Sequence, residues 1–127
     1  MLSSISIKNY ALINELHIDF SSGLSIITGE TGAGKSILLG ALGLVLGNRA
    51  DSFTLKNTNN KCVIEAIVSI DTYNLQDFFE REDIDYESNT ILRREILPSG
   101  KSRAFINDTP VTLLVLTALR ARLIDIH

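Results

Sequence analysis

The sequence predicts an α/β domain in which a strand, a glycine-rich loop and a helix lie beside an antiparallel β layer. Three observations carry this. The stretch Gly29-Glu30-Thr31-Gly32-Ala33-Gly34-Lys35-Ser36 matches the P-loop pattern G-x-x-x-x-G-K-[ST] at every fixed position. A short β-branched run, residues 24–28, stands before it, and an apolar run, residues 37–46, stands after it. Two segments that alternate polar and apolar residues precede the loop, and a Pro/Gly hairpin signal follows it.

The loop explains its own residue types. Phosphates are a dense cluster of negative charge, and glycines let successive backbone N–H groups close around them. Gly32 and Gly34 allow that turn, Lys35 is placed to reach the β and γ phosphates, and Ser36 is placed to put its hydroxyl on a magnesium ion. The helix that opens here adds the positive end of its dipole. The candidate nucleotide-binding residues are Gly29, Glu30, Thr31, Gly32, Ala33, Gly34, Lys35, Ser36 and Ile37, with Lys35 also the catalytic candidate and Ser36 the metal ligand. The competing reading is a glycine-rich turn that holds no ligand.

Bulk properties set bounds. With 127 residues the chain is long enough for one domain with a core. Hydrophobic residues make up 45% and charged residues 21%, as in globular proteins that are not membrane-embedded, and mean hydropathy is slightly positive at +0.18. The net charge of −3 excludes a global basic signature, though not a local basic patch. The single cysteine, Cys62, excludes an internal disulfide framework and reads as a small hydrophobe in a strand. The N-terminus has no basic segment followed by a long apolar run, and the apolar run after the loop is too short and glycine-rich for a membrane span, so the expected location is cytoplasmic, with no membrane partner.

Along the chain, residues 3–8 read as a half-buried strand and residues 9–14 as a connection. Residues 16–20 read as a second strand with Leu16, Ile18 and Phe20 on one face, and His17 is expected to be solvated. The run 37–46 is apolar all round, which predicts burial against a sheet, and Gly47-Asn48 is its stop signal. Residues 56–61 form a turn or exposed loop. Residues 62–70 read as a strand with Ile64, Ala66, Val68 and Ile70 facing inward. Asp71-Thr72 is expected to cap a short helix in which Leu75, Phe78 and Phe79 share a face. Residues 90–97 and 102–106 flank Pro98-Ser99-Gly100-Lys101 as a hairpin, and Asn107-Asp108 is a second turn. Thr109 or Thr112 caps a last helix over 113–123. Ile124-Asp125-Ile126 reads as the start of a further strand, so the sequence reads as the first part of a longer protein.

A leading hairpin before the P-loop strand points to the ABC-type ATPase head. The chain resembles the N-terminal half of such a head of the SMC kind, closest in wording to its bacterial DNA-repair branch. The matching stretches are Ile7-Lys8-Asn9-Tyr10-Ala11-Leu12-Ile13, residues 23–37, Ser102-Arg103-Ala104-Phe105-Ile106-Asn107 and Leu123-Ile124-Asp125-Ile126-His127. The resemblance implies an ATPase using ATP and Mg2+ in recombinational repair of DNA double-strand breaks. It also implies the C-terminal half of the same head and a second head in a homodimer as partners, and DNA bound through the whole protein without sequence specificity. A cytoplasmic location, on the nucleoid after DNA damage, is implied too. In such heads a glutamine, a signature motif and a Walker B acidic pair lie downstream, so these residues alone are expected to be a poor catalyst. The resemblance further implies that Arg49, in the loop after the P-loop helix, approaches the γ-phosphate or senses DNA; the other reading is a solvated arginine or a cap on the helix C-terminus.

Arg93, Arg94, Lys101, Arg103, Arg120 and Arg122 put six cations in the last third. They suit either a face for the DNA backbone or ordinary solvation, with Arg93 and Arg94 on opposite sides of their strand. Two rival functions remain: a P-loop kinase or GTPase of another class, and an interaction module whose P-loop is structural. A GTPase should offer Asn-Lys-x-Asp, and Asn60-Lys61-Cys62-Val63 starts that way but lacks the aspartate.

Overall fold

The computed structural model describes residues 2–20, 32–50 and 55–124. The strand expected at 24–28, the loop residues 29–31 and the closing residues 125–127 lie outside the described residues. In chain order the elements are β1 (Leu2–Tyr10), β2 (Ile13–Asp19), α1 (Gly32–Val45), β3 (Cys62–Ser69), a single 3-10 turn (Asp71–Tyr73), α2 (Gln76–Arg81), β4 (Asn89–Ile96), β5 (Ser102–Ile106), β6 (Thr109–Val111) and α3 (Leu113–Ile124).

The six strands form one sheet in the order β2-β1-β3-β4-β5-β6, antiparallel at every junction. The two-residue period of each strand sorts its side chains between two faces. Register aligns Ile5 with Ala66, Ile7 with Ile64, Ala66 with Leu92 and Leu92 with Ile106, and all of these side chains are buried. α1 packs on this inner face over β3 and β4 through Ala41, Leu44 and Val45. This is the burial against a sheet that its composition predicts, on one side of the helix, with Leu39 60% exposed. Phe78, Phe79 and Leu75 enter the same core, with Tyr86 edge-on to Phe79 at 5.4 Å between centroids.

Several local details differ from expectation. β6 is a strand of three residues that neither turn nor pattern announced, and Pro110 is tolerated there because β6 is the sheet edge. The turn before it works as read: Asn107 and Asp108 both take positive φ, 49° and 67°, as a two-residue hairpin turn requires. Asp71 starts a 3-10 turn without a side-chain cap, and α2 has Leu75 at its cap position, also without one. Of the two threonines offered as caps for α3, Thr112 does it: its hydroxyl accepts from the Val115 N–H at 3.2 Å, while Thr109 lies in β6. Ile124 belongs to α3 rather than to a new strand. On β2, Ile18 is buried, but Leu16 on the same face is exposed. His17 is exposed but not free, its Nδ1 lying 2.7 Å from the Ser6 hydroxyl.

The corner where β1 ends is tightly tied. Asn9 takes a left-handed backbone, φ 54°, which asparagine accepts better than most residues. Its side-chain NH2 donates to the carbonyls of Asn57 and Asn60, both at 2.9 Å, and its Oδ1 accepts from the Asn57 N–H at 2.7 Å. So the loop 56–61, read as a turn or exposed loop, is laced to the sheet, by Asn9 and by the Lys56 ammonium donating to Asn14 Oδ1 at 2.6 Å. Tyr10 next to it bridges to Leu55 and sets its hydroxyl against Gly40 of α1, where a Cβ would overlap it.

Cys62 opens β3 on the inner face and is fully buried. Burial pushes its thiol up to about 11, against the opposing pull of the Arg94 guanidinium. The unfolded thiol gives up its proton near 9 while the folded one keeps it, so this contribution to stability is intact below pH 9 and lost as pH rises towards 11. The wild type is therefore expected to lose roughly 2 kcal/mol more unfolding free energy than Cys62→Ala between pH 9 and 11, read from urea unfolding at each pH. Asn9→Ala, which removes the Asn9 bonds and leaves alanine in a left-handed conformation, is expected to cost about 2 kcal/mol by the same method. Amide exchange should speed up locally at residues 57–61.

Candidate nucleotide-binding site

The helix starts inside the motif. α1 begins at Gly32, so Gly32, Ala33, Gly34 and Lys35 form its first turn. The first four N–H groups of a helix have no acceptor within it, and the dipole adds partial positive charge at the same end. No acidic residue stands in this turn to compete for those donors. Lys35 and Ser36 are exposed and Ile37 is half-buried, so the ammonium and the hydroxyl remain accessible at the mouth of the helix. Gly29, Glu30 and Thr31 lie outside the described residues. The donor set fits a phosphate chain: backbone amides, one cation and one hydroxyl able to serve as an oxygen ligand of magnesium.

The other end of α1 is locked. The Asn48 N–H bonds the Gly43 carbonyl at 2.9 Å and the Gly47 N–H bonds the Leu44 carbonyl at 3.1 Å, a Schellman closure with Gly47 at φ 108°. Gly47 lies against Thr117 and Leu116 of α3, where a Cβ would overlap the Thr117 methyl. Arg94 reaches this end from β4. Its Nη1 donates to the carbonyls of Leu44 and Asn48, each at 2.7 Å, and its Nη2 donates to the Ser102 hydroxyl at 3.1 Å. Arg120 of α3 donates from Nη1 to Asn48 Oδ1 at 2.9 Å. Arg94 is 1% exposed, and burial pulls its guanidinium below the usual arginine range, while Cys62 pulls slightly the other way. None of the ion pairs among the described residues involves Arg94; the carbonyl end of α1 stands where a carboxylate would.

Arg49 follows Asn48 and is exposed. Twelve residue steps separate Gly32 from Leu44, roughly 18 Å of helix axis. Arg49 thus starts beside the far end of α1, at the negative pole of the helix that favours a cation.

The six cations of the last third are spread over β4, the turn after it, β5 and α3. Arg94 is inside the core, as the two-sided geometry of β4 demands. On the outer face Arg93 pairs with Asp108 at 3.1 Å, Glu95 at 3.5 Å and Glu65 at 3.8 Å and lies 4.3 Å over the Phe105 ring. Glu95 also takes Lys61 and Arg103, each at 3.5 Å, and Arg122 pairs with Asp77 at 3.6 Å. Arg93, Arg103 and Arg122 are thus paired with carboxylates, while Arg94 and Arg120 bond to the C-terminal end of α1. Sequence reading passed over Arg94, Asn48 and Arg120 as site-shaping residues. For Arg94 a signal existed: it shares the inward register of Leu92 and Ile96, where a lone charge demands a buried partner.

Comparison with known proteins places this geometry. A sequence model of the AAA domain family matches residues 4–120. The DNA repair protein RecN of Vibrio cholerae is 41% identical over 128 residues, covering all of this chain and 23% of that protein. RecN of Bacillus subtilis is 37% identical over 129 residues, covering all of this chain and 22% of that protein. The chain thus spans less than a quarter of the length of the curated relatives it matches. Among solved structures, an Smc head bound to the C-winged helix domain of ScpA superimposes with a TM-score of 0.74 at 19% identity, over 97% of this chain and 41% of that one. The SMC head domain from Thermotoga maritima gives 0.63 at 20% identity, over 95% and 41%. The recombination mediator RecF with ATP gives 0.59 at 15% identity, over 87% and 28%. At those identities the likeness is one of fold. The chain belongs to the AAA domain family, is a RecN-type sequence, and shares the fold of SMC head domains.

Proposed function

We propose that this chain supplies the phosphate-binding half of an ATPase head that works in the recombinational repair of DNA double-strand breaks. The observation that carries the reading is the motif of residues 29–36 opening α1, with Lys35 and Ser36 exposed in its first turns. The free N–H groups of that turn donate to phosphate oxygens, and the Lys35 ammonium neutralises charge between the β and γ groups. The Ser36 hydroxyl offers a lone pair to magnesium, which when bound polarises the phosphate oxygens it shares.

Turnover asks for more than this. Protonated Lys35 has no lone pair to take a proton from water, and Ser36 is committed to the metal. The reading therefore assigns hydrolysis to the whole protein, with the C-terminal half of the head and a second head completing the site and DNA engaged through the full assembly. The exposed Leu39 on α1 and Leu114 on α3 support such covering partners. A related solved structure, with a TM-score of 0.70 at 20% identity, concerns ATP-driven dimerisation and DNA-stimulated activation of SMC ATPases. No helix among the described residues is long and apolar enough to cross a membrane, and the proposed place of action is the cytoplasm, on the nucleoid after DNA damage.

Calorimetric titration of Mg-ATP into the complete natural polypeptide tests the reading, with GTP as control. ATP should bind more tightly than GTP, and Lys35→Ala should weaken ATP binding by about a hundredfold or more. Equal binding by wild type and Lys35→Ala would leave the loop a structural turn. A preference for GTP would favour a GTPase.

A further inference from the structure

We propose that Arg94 is a positioning residue for nucleotide binding, holding α1 at the axial setting in which its first turn meets the phosphates, although it sits at the opposite end of the helix. The inference rests on the nucleotide-binding reading of residues 29–36. α1 meets the sheet through Ala41, Leu44 and Val45, whose contacts resist separation but have no directional preference along the axis. Direction comes from Arg94: two 2.7 Å bonds from one nitrogen grip the carbonyls of Leu44 and Asn48, and the second nitrogen is held by Ser102 on β5. Register fixes Arg94 between Ile64 and Ala104, so its Cα moves only with the sheet.

Asn48 closes the arrangement. Its carbonyl is held by β4, its side chain by Arg120 of α3, and Gly47 before it is wedged on Thr117. The C-terminal end of α1 is thus a fixed point shared by the sheet and α3, and the rod from there to Gly32 is a single helix of fourteen residues. Backbone N–H groups must lie about 2.7–3.2 Å from the oxygens they bind, so a helix that slides by an ångström loses several of them together. A side chain far from the ligand then sets affinity without touching it.

The test titrates Mg-ATP into the complete natural polypeptide and its variants, at a temperature where circular dichroism shows each to be folded. Arg94→Met is expected to bind about tenfold more weakly than the wild type, and Arg94→Lys, which still donates to the carbonyls, to stay within about threefold. Ile106→Val, a core variant of the same sheet, is expected to bind as the wild type does, because lost stability alone leaves the folded site intact. Should Arg94→Met not fold, Ser102→Ala replaces it, with binding about threefold weaker at a nearly unchanged unfolding midpoint. Wild-type affinity in folded Arg94→Met, or in Ser102→Ala where that variant stands in, overturns the inference. So does an equal loss in Ile106→Val. In each case the wild type still binds ATP and the nucleotide-binding reading survives; a wild type that binds no ATP overturns both.

Discussion

A buried guanidinium facing the carbonyl end of a helix is the constraint around which this structure is arranged. An isolated charge inside a core is costly, and an arginine can never shed its proton to escape that cost. Arg94 is nevertheless inside, in the strand register of Leu92 and Ile96. It is tolerated because α1 ends there, with carbonyls that keep a lone pair free beyond the Schellman closure and the negative end of its dipole aimed at the sheet. Truncating the guanidinium would remove three of these bonds at once, and a hydrogen bond to a charged group is worth about 1.5–3 kcal/mol. The contact ties the end of α1 to the sheet.

The sheet divides labour between its faces. The inner one carries aliphatic side chains from five strands and accepts the helices. The outer one carries a carboxylate and guanidinium mesh around Arg93 and Glu95. Exposed ion pairs contribute little stability individually. Their effect here is on surface chemistry: Arg93 and Arg103 are matched by Glu65, Glu95 and Asp108, so these two do not stand as a bare cationic strip for a DNA backbone. Contact with DNA, in the function proposed, draws on parts of the whole protein beyond this sheet.

Much of this fold was legible before any coordinates. Alternation set the inward face of β3 and the hairpin of β4 and β5, because a buried face leaves a period of two. The stop of α1 was legible in Gly47, since a left-handed cap needs a residue without Cβ strain. What escaped reading depends on contacts distant in sequence. Asn9 looked like a connection residue, yet it binds a loop 48 residues away. β6 escaped because three residues containing a proline carry no period. The P-loop residues were legible because the pattern is local; Arg94 was not, because its bonds exist only once β4 and α1 meet.

Hydrogen exchange by mass spectrometry, with and without Mg-ATP, tests the central claim most directly. If α1 is a rod anchored at Arg94 with its first turn on the phosphates, the nucleotide should slow exchange sharply at residues 32–37. Residues 44–48 should be protected already in the free protein. Unchanged exchange at 32–37, or rapid exchange at 44–48 without nucleotide, would contradict the account.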